Sequence, residues 1–443
     1  MDSVPAMARD ENVSNETFFL SNVDGAEPIQ FGTRLEETIR SGISMDRLAE
    51  ISLELNPTLI QASRVLDQVH GNYVQVGLYP NPVVAYSAGE VGDDGTAGKH
   101  GGFVQQRIVT ANKLGLDQAV VGSEADQAYY GVEQQRQRIL NDVRSLSVQV
   151  LALQQQIVLD QTLVAIGAES MATAERLLGV GEVSRADLLQ ARVEYNTARL
   201  QLDTVRAQYL GAWRRLAALI GDPELPPTRI IDSLEKSVDD AVKKLEWSDS
   251  LARILELSPE LAQARAGVRR ARNDLARQQV QPIPDIEFSG GAMYNAVNGD
   301  TLGTAQLAMV IPIFDRNQGR IASASASVAS EMANVRRLEL DLQNRLAAAM
   351  GDYDAACRQC EYYRREILPD ARETLRIAQI GYEQGELTWI QLLTAQRSWS
   401  LATREYIDSL RNLECSVIRI EGMLLSGGLD AVRGEDRVDN LLP

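Results

Sequence analysis

The feature that most restricts the fold of this 443-residue chain is an internal repeat. The run Leu-Glu-Leu-Asn-Pro at 53–57 returns as Leu-Glu-Leu-Ser-Pro at 255–259, 202 residues later. A Pro-x-Pro at 80–82 returns at 282–284 with the same spacing. Matches of this kind at one spacing indicate a tandem duplication, so the fold must use one structural unit twice.

Each copy begins with a predicted helix, over 57–79 in the first and 259–281 in the second. A proline suits the first turn of each helix because the N–H that it lacks has no partner inside the helix. The Pro-x-Pro that follows cannot continue a helix, so the chain must change structure there.

A β-hairpin is predicted next, at about 82–111 in the first copy and about 284–314 in the second. In the second copy Ile286, Phe288 and Tyr294 alternate with polar residues, and the turn 298–300 reads Asn-Gly-Asp. Such alternation predicts strands with one apolar and one polar face.

Long helices are predicted after the hairpins, over 116–178 and 319–381, and each would reach about 90 Å. Residues Val143, Leu146, Val150, Leu153 and Ile157 have the 3-4 spacing of a coiled-coil seam, which Asp160 interrupts.

A second helix returns in each copy, over 184–220 and 387–425. The hydroxyls of Ser184 and Thr388 are well placed to cap these helices. The turns that lead into these helices also match, since Gly-Glu-Val at 181–183 returns as Gly-Glu-Leu at 385–387.

The chain therefore divides into five predicted parts. They are an N-terminal extension (1–45), repeat 1 (46–220), a linker or small separate layer (221–257), repeat 2 (258–425) and a loose tail (426–443).

Composition excludes some functions. The net charge of −17 argues against a nucleic-acid partner, which would need a basic surface. The sequence contains no run of 18 apolar residues, so it predicts no transmembrane helix. The first 40 residues show no secretory signal.

No enzyme, cofactor or metal site is predicted either. Cys357 and Cys360 form a single C-x-x-C with no second pair, and His70 and His100 are the only histidines, so we interpret the cysteines as small residues on one helix face. No nucleophile–base pair or phosphate loop is present to suggest catalysis.

Two functions remain open from these patterns. Amphipathic strands and narrow helical seams that one chain cannot bury predict oligomerisation, and strands of this kind suit a transmembrane barrel shared between chains. The alternative is a soluble coiled-coil scaffold carrying two hairpins.

The order of elements resembles the TolC family of outer membrane factors, and most closely its heavy-metal efflux branch. The resemblance covers about residues 45 to 425. It depends on Tyr-Pro-Asn-Pro at 79–82, Asn-Lys-Leu-Gly at 112–115, Ile-Pro-Ile-Phe-Asp-Arg-Asn at 311–317, the run 181–189, and Gly-Glu-Leu-Thr at 385–388.

This resemblance implies a homotrimer whose strands share one β-barrel in outer-membrane lipid and whose helices form an α-barrel in the periplasm. It implies a passive efflux duct for heavy metals or drugs. The implied partners are a periplasmic adaptor and an inner-membrane pump, typically of the resistance-nodulation-division type.

The resemblance also assigns roles to the two helix–helix turns, which would dock the adaptor. Asp187 and Tyr382 occupy the positions of a gate latch, but the family's arginine is replaced by Leu387 and its acidic ring by Gln391 and Thr394. The implied docking residues are Gly179, Val180, Gly181, Glu182, Val183 and Ser184 in repeat 1, and Gly381, Gly385, Glu386, Leu387 and Thr388 in repeat 2.

Overall fold

The computed structural model describes residues 42–95, 97–235, 245–384 and 386–431. Most of the N-terminal extension (1–41), part of the tail (432–443) and the docking residue Gly385 lie outside the described residues.

Both repeats have the same order of elements. Repeat 1 contains α1 (Met45–Leu55), α2 (Pro57–Val76), β1 (Val83–Gly89), β2 (Lys99–Ile108), α3 (Lys113–Gly179) and α4 (Arg185–Ile220). Repeat 2 contains α5 (Trp247–Leu257), α6 (Pro259–Val280), β3 (Ile286–Asn295), β4 (Asp300–Met309), α7 (Gln318–Tyr362), α8 (Leu368–Glu383) and α9 (Trp389–Glu421).

The Asn-Pro at the start of α2 makes contacts that the Ser-Pro of repeat 2 lacks, since the Ser258 side chain forms no cap hydrogen bond. The Asn56 side chain accepts from the Thr58 N–H at 2.9 Å and donates to the Leu219 carbonyl at 2.7 Å. Pro57 occupies the first turn of α2. A backbone N–H has no partner inside the helix at this position, so no hydrogen bond is lost because proline lacks one. One side chain thus caps α2 and ties it to the end of α4.

The four strands form one antiparallel sheet in the order β1-β2-β3-β4. This order places β2 of repeat 1 beside β3 of repeat 2, with Phe103 opposite Gly291 and Ile108 opposite Ile286. Strands β1 and β4 are the two edges.

The main hydrophobic core lies midway along the long helices and contains residues of both repeats. Trp213, Leu216, Leu342 and Leu346 are almost completely buried there. The predicted seam on α3 points into this core, since Val143, Val150 and Leu153 are buried and Leu146 and Ile157 pack against them.

The predicted long helix 319–381 is helical over its whole length, but it is not regular throughout. A π-helical turn, Tyr363–Ile367, separates α7 from α8. Pro369 follows directly, and a proline cannot donate a hydrogen bond to the carbonyl four residues earlier, so the regular ladder is broken here. The corresponding helix of repeat 1, α3, runs for 67 residues without interruption.

Two segments are more firmly packed than expected. In the predicted linker or layer 221–257, Leu225, Ile230 and Leu234 join the main core. The tail was expected to be loose from residue 426, yet the Gly427 and Gly428 N–H groups donate to Asp142 at 2.9 and 2.7 Å.

Although no run of 18 apolar residues exists, α3 contains a window with a mean hydropathy of 1.2, long and apolar enough to cross a membrane. A buried core helix meets the same criterion, and 39% of this window is buried within the chain. The window is thus weak evidence for a helical membrane span.

Candidate functional site

The sheet has one predominantly apolar face. Directly paired residues share a face, and alternate residues of each strand point the same way. Leu307 is 64% exposed and Val84 77% exposed on this face, although Gln106 and His100 also lie on it. Its large apolar members are Val84, Tyr86, Val104, Ile108, Ile286, Phe288, Tyr294, Leu307 and Met309.

The opposite face of the sheet is mostly polar, with Val83, Phe103, Met293 and Leu302 as its large apolar exceptions. Its polar members include Gln105, Arg107, Glu287, Ser289, Asn295, Thr304 and Gln306. An exposed apolar face with a polar reverse is the pattern of a strand wall between lipid and water.

Aromatic residues lie at both ends of the apolar face. Tyr86 and Tyr294 are near the hairpin turns, and Tyr79 and Phe314 lie just beyond the other end, where Phe314 is 90% exposed. Eight residues separate the rows of Tyr294 and Ile286, which is roughly 26 Å of strand. At the strand tilt of outer-membrane barrels, about 35–45°, this length spans roughly 20 Å across the bilayer, somewhat less than the apolar band of about 25 Å that aromatic rings border there.

An ion cluster joins the sheet to the helices. The Asp285 carboxylate accepts from Lys113 Nζ at 2.8 Å, from Arg107 Nη2 at 2.6 Å and from the Thr110 N–H at 3.1 Å. Burial opposes ionisation, but the hydrogen bonds from Lys113, Thr110 and Arg107 outweigh it and lower the pKa of Asp285 to about 2. The cluster connects repeat 1 to repeat 2 at the base of the sheet.

The helix–helix turn of repeat 1, which we call the first tip, is open. The Gly181 and Glu182 N–H groups donate to the Leu178 and Leu177 carbonyls at 3.1 and 3.0 Å. Gly181 has a φ of +81°, which favours glycine. A Cβ placed on Gly179 or Gly181 would meet no atom within 4 Å.

The turn of repeat 2, which we call the second tip, is covered. Gly381 is buried, and a Cβ there would come within 2.8 Å of the Leu387 side chain. The Tyr382 and Trp389 rings lie 5.6 Å apart and pack on a small cluster. The buried members of that cluster are Leu375, Ala378, Leu392 and Ala395.

The predicted N-caps are confirmed at both tips. The Ser184 side chain accepts from the Asp187 N–H, while the Asp187 carboxylate accepts from the Ser184 N–H at 2.9 Å. At the second tip, Gln391 Oε1 accepts from the Thr388 N–H at 2.8 Å and from the Thr388 hydroxyl at 3.0 Å. Each cap satisfies backbone donors that a helix start leaves free.

Asp187 is therefore already engaged in its own helix, and the hydrogen bonds from Ser184 lower its pKa. Burial raises the pKa of Tyr382, and the nearby charge of Asp187 raises it further, so the two side chains are close without being hydrogen-bonded in the protomer. The latch between them stays a prediction.

The surroundings of Cys357 and Cys360 agree with their interpretation as small residues on one helix face. Cys360 is buried, with its sulfur 3.3 Å from the Ser409 hydroxyl on α9, and Cys357 packs partly against the same core. Within the described ranges, no group of three or more His, Cys, Asp or Glu residues is arranged to hold a metal ion.

Sequence reasoning missed the ion pairs that cross between the repeats, and two of them join α9 of repeat 2 to the long helices of repeat 1. Arg404 bonds to the buried Asp160 at 2.5 Å, and Arg397 bonds to Glu194. Asp160 was visible as an interruption of the seam, and Arg397, Arg404 and Arg411 stand at seven-residue spacing. Only the folded chain shows which carboxylates they meet.

A family model described as outer membrane efflux protein matches residues 48–222 and 251–424, one match for each repeat. The chain belongs to the outer membrane efflux protein family. This assignment confirms the resemblance and decides between the two functions left open, in favour of an efflux channel of the outer membrane that extends into the periplasm.

One relative is the cobalt-zinc-cadmium resistance protein CzcC of Cupriavidus metallidurans. It is 24% identical over 372 residues, which cover 83% of this chain and 86% of the relative.

Solved structures show the same fold. The chain is similar to the CusC structure, with a TM-score of 0.71 and 16% identity over 87% of this chain and 93% of that one. It is also similar to VceC of Vibrio cholerae, with a TM-score of 0.69 and 16% identity over 86% and 96% of the two chains.

Proposed function

We propose that three copies of this efflux protein form one duct through the outer membrane and the periplasm. The observation that carries the proposal is the apolar sheet face, which continues over four strands and ends at two open edges, β1 and β4. Four strands cannot close a barrel, and open edges are not stable in lipid. Pairing β4 of one copy with β1 of the next closes the sheet and removes the edges.

The helices support the same assembly. Leu189, Val193 and Leu200 are more than half or about half exposed along α4, at spacings that place them on one side of the helix. A neighbouring copy would cover this stripe, as the family resemblance implies for a trimeric helical tunnel.

Substitution on the apolar face tests the proposal. We expect Leu307→Arg to reduce the trimers recovered in outer membranes, because an arginine facing lipid costs about 2–4 kcal/mol at the bilayer centre and less toward the end of the apolar band, where Leu307 lies opposite Phe288. The neighbouring Gln306→Arg places the same side chain on the polar face and serves as the matched control. Equal recovery of both variants as detergent-extracted trimers would contradict the proposed orientation.

The tips are the proposed docking sites for a periplasmic adaptor, which would link the duct to an inner-membrane pump. Gly179, Val180 and Gly181 are exposed with free space around the glycines, so a partner backbone can approach closely. Binding of an adaptor hairpin to the purified trimer measures this step directly.

The duct itself performs no chemistry in this proposal, and the pump selects the cargo and supplies the energy. CzcC is named for resistance to cobalt, zinc and cadmium, and we propose divalent transition-metal cations as the cargo class. Loss of metal tolerance on deletion of the gene, restored by the intact chain, is the expected result. Unchanged tolerance to all three metals would contradict this cargo.

A further inference from the structure

Helix α6 is basic, although the chain as a whole is acidic. Its five arginines outnumber its two carboxylates, Glu260 and Asp274, which gives a net charge of +3, whereas the whole chain has −17. The equivalent helix of repeat 1, α2, has Arg64 and Asp67, whose charges cancel. The excess of arginine therefore belongs to repeat 2 and is not part of the duplicated pattern.

One side of α6 follows the polar face of the sheet. The ion cluster at the base of the sheet includes Arg107, which lies on that face, and Lys113 of α3 reaches the same cluster. Asp117 and Glu124 continue this side of α3, since they come about one and three turns after Lys113. Asp117 bonds to Arg277 of α6 at 2.7 Å. In the proposed duct the polar face of the sheet lines the lumen, so this side of the two helices lines it as well.

Three other arginines of α6 lie on the outer side. Asp126 comes two residues after Glu124, about 200° around the helix, so it points away from the lumen. It bonds to Arg269 at 2.8 Å, which places Arg269 on the outside. Arg265 and Arg272, four residues before and three residues after Arg269, share its side of α6. All three arginines are exposed.

The same outer side carries a cavity of about 380 Å³ farther from the sheet. Glu133 and Arg144 of α3 line it, at 7 and 18 residues after Asp126, which is close to two and five full turns. Arg253 of α5 and Glu421 of α9 complete its charged lining. The cavity therefore offers two positive and two negative side chains to a ligand from outside the duct.

Five arginines of this outer side form what we call the basic column: Arg144, Arg253, Arg265, Arg269 and Arg272. Arg253 and Arg272 are exposed and pair with no carboxylate among the described residues. Arg265 donates to the Leu255 carbonyl at 3.4 Å, and Arg144 has the exposed Asp46 at 3.6 Å. A planar guanidinium group binds a carboxylate through two parallel hydrogen bonds, so the basic column suits an anionic partner that bears carboxylates.

The basic column lies below the reach of lipid headgroups. Arg272 and Arg265 come 8 and 15 residues before Val280, the end of α6, which places them about 12 and 22 Å below the sheet. Arg144 comes 31 residues after Lys113, about 46 Å below the sheet. A headgroup layer adds only about 5–8 Å to each side of the hydrocarbon core. The basic column therefore suits a periplasmic anion rather than a lipid.

We propose that the basic column and the cavity beside it bind the short peptides of peptidoglycan, the wall polymer that surrounds the duct in the periplasm. These peptides carry free carboxylates and, on a diamino acid, a free amino group. The carboxylates match the arginines, and the amino group matches Glu133 and Glu421 in the cavity. Such a contact would anchor the duct in the wall. The assignment of this surface to the outside of the duct rests on the proposed function.

Co-sedimentation of full-length trimers in detergent with purified peptidoglycan sacculi tests the proposal. We expect the triple variant Arg253→Gln, Arg265→Gln and Arg272→Gln to need about tenfold more sacculi for half of the protein to pellet, because each copy loses three charged contacts. The matched control replaces three exposed arginines elsewhere, Arg64, Arg206 and Arg336, with glutamine and should pellet like the unchanged protein. Equal pelleting of the two triple variants would overturn the proposal.

Modified sacculi and lipid vesicles identify the chemistry of the partner. Amidation of the sacculus carboxylates should reduce pelleting of the unchanged protein to the level of the first triple variant. Acetylation of the amino groups should cause a smaller loss, which Glu133→Gln together with Glu421→Gln should not increase. Pelleting that amidation does not change would overturn the proposal. Binding to phosphatidylglycerol vesicles that depends on the three arginines, with unchanged binding to sacculi, would also overturn it and make an anionic lipid the partner.

Gel filtration of the same samples reads the proposed function separately. Arginine-dependent pelleting by a chain that stays monomeric would support the basic column as a binding surface and contradict the duct. Trimers that pellet with sacculi independently of these arginines would keep the duct and overturn the basic column.

Discussion

Equivalent positions of the two repeats have different surroundings at the base of the sheet. Lys113 directly follows the left-handed N-cap Asn112 of α3, and its charge is bonded to Asp285. In repeat 2 the residue after the left-handed N-cap Asn317 of α7 is Gln318, and the counterpart of Asp285, 202 residues earlier, is Val83. The ion cluster around Asp285, which we call the ionic joint, thus connects the two repeats within one chain. The counterpart positions, Val83 and Gln318, lack these charges.

The two tips also differ in how they are packed. The first tip is an open glycine turn, and the second is covered by Leu387, Tyr382 and Trp389. The long helix is continuous in repeat 1 and interrupted by a π turn in repeat 2. The duplication thus preserved the topology, whereas the packing of the tips and the regularity of the long helix differ between the two copies.

The largest expected effect concerns the ionic joint. We expect Asp285→Ala to lower the free energy of unfolding by about 3 kcal/mol, because Lys113, whose side chain is 5% exposed, loses its counter-charge. Val83→Ala, at the counterpart position, should cost less than about 0.5 kcal/mol because Val83 is exposed. Thermal unfolding of the purified trimers compares them, and equal losses would contradict the difference between the joints.

Acid provides an independent check on this joint. The folded pKa of Asp285 is about 2, below the ordinary value of 3.8, so its ionisation stabilises the fold fully above about pH 4. This contribution, about 2 kcal/mol, should be lost as the pH falls from about 4 to 2. The Asp285→Ala variant should not show this loss of stability between about pH 4 and 2. If the free energy of unfolding depended on pH in the same way in the variant and the unchanged protein, the ionic joint would not be its cause.

An intermediate effect is expected at the second tip. Trp389→Ala should lower the local stability of this tip by about 2 kcal/mol, because the indole ring packs on Tyr382 and on the small cluster. Arg185→Ala, at the counterpart position in the first tip, removes an exposed side chain and should have almost no effect. Amide exchange over 375–395 and 170–190 measures both, and equal changes would remove the distinction between covered and open tips.

The smallest effect on stability is expected for Gly179→Leu, since Gly179 is exposed and nothing lies within 4 Å of a Cβ added there. The change should be below about 0.5 kcal/mol, yet adaptor binding to the first tip should fall. Gly71→Leu is the matched control, because Gly71 has equally free space but lies on α2. A binding loss shared by both variants, or absent from both, would argue against docking at Gly179.

Much of the fold could be predicted because the decisive signals are local. The alternation of Ile286, Phe288 and Tyr294 assigns the strand faces, and the hydroxyls of Ser184 and Thr388 mark the helix starts. The π turn was missed because Pro369 allows either a helix start or a break. Its outcome depends on packing against α9.

The sequence by itself determined the duplication, from matching runs 202 residues apart. It also determined the order of elements, the amphipathic strands and the glycine turns, since each of these follows from residues close together in the chain. Only the tertiary structure decided that Asp285 meets Lys113 and Arg107, and that Asp160 meets Arg404. These partners are more than 170 residues apart in the sequence. A charged residue in the sequence does not show which residue it will pair with, because the pair forms only when packing excludes water and brings the opposite charge beside it.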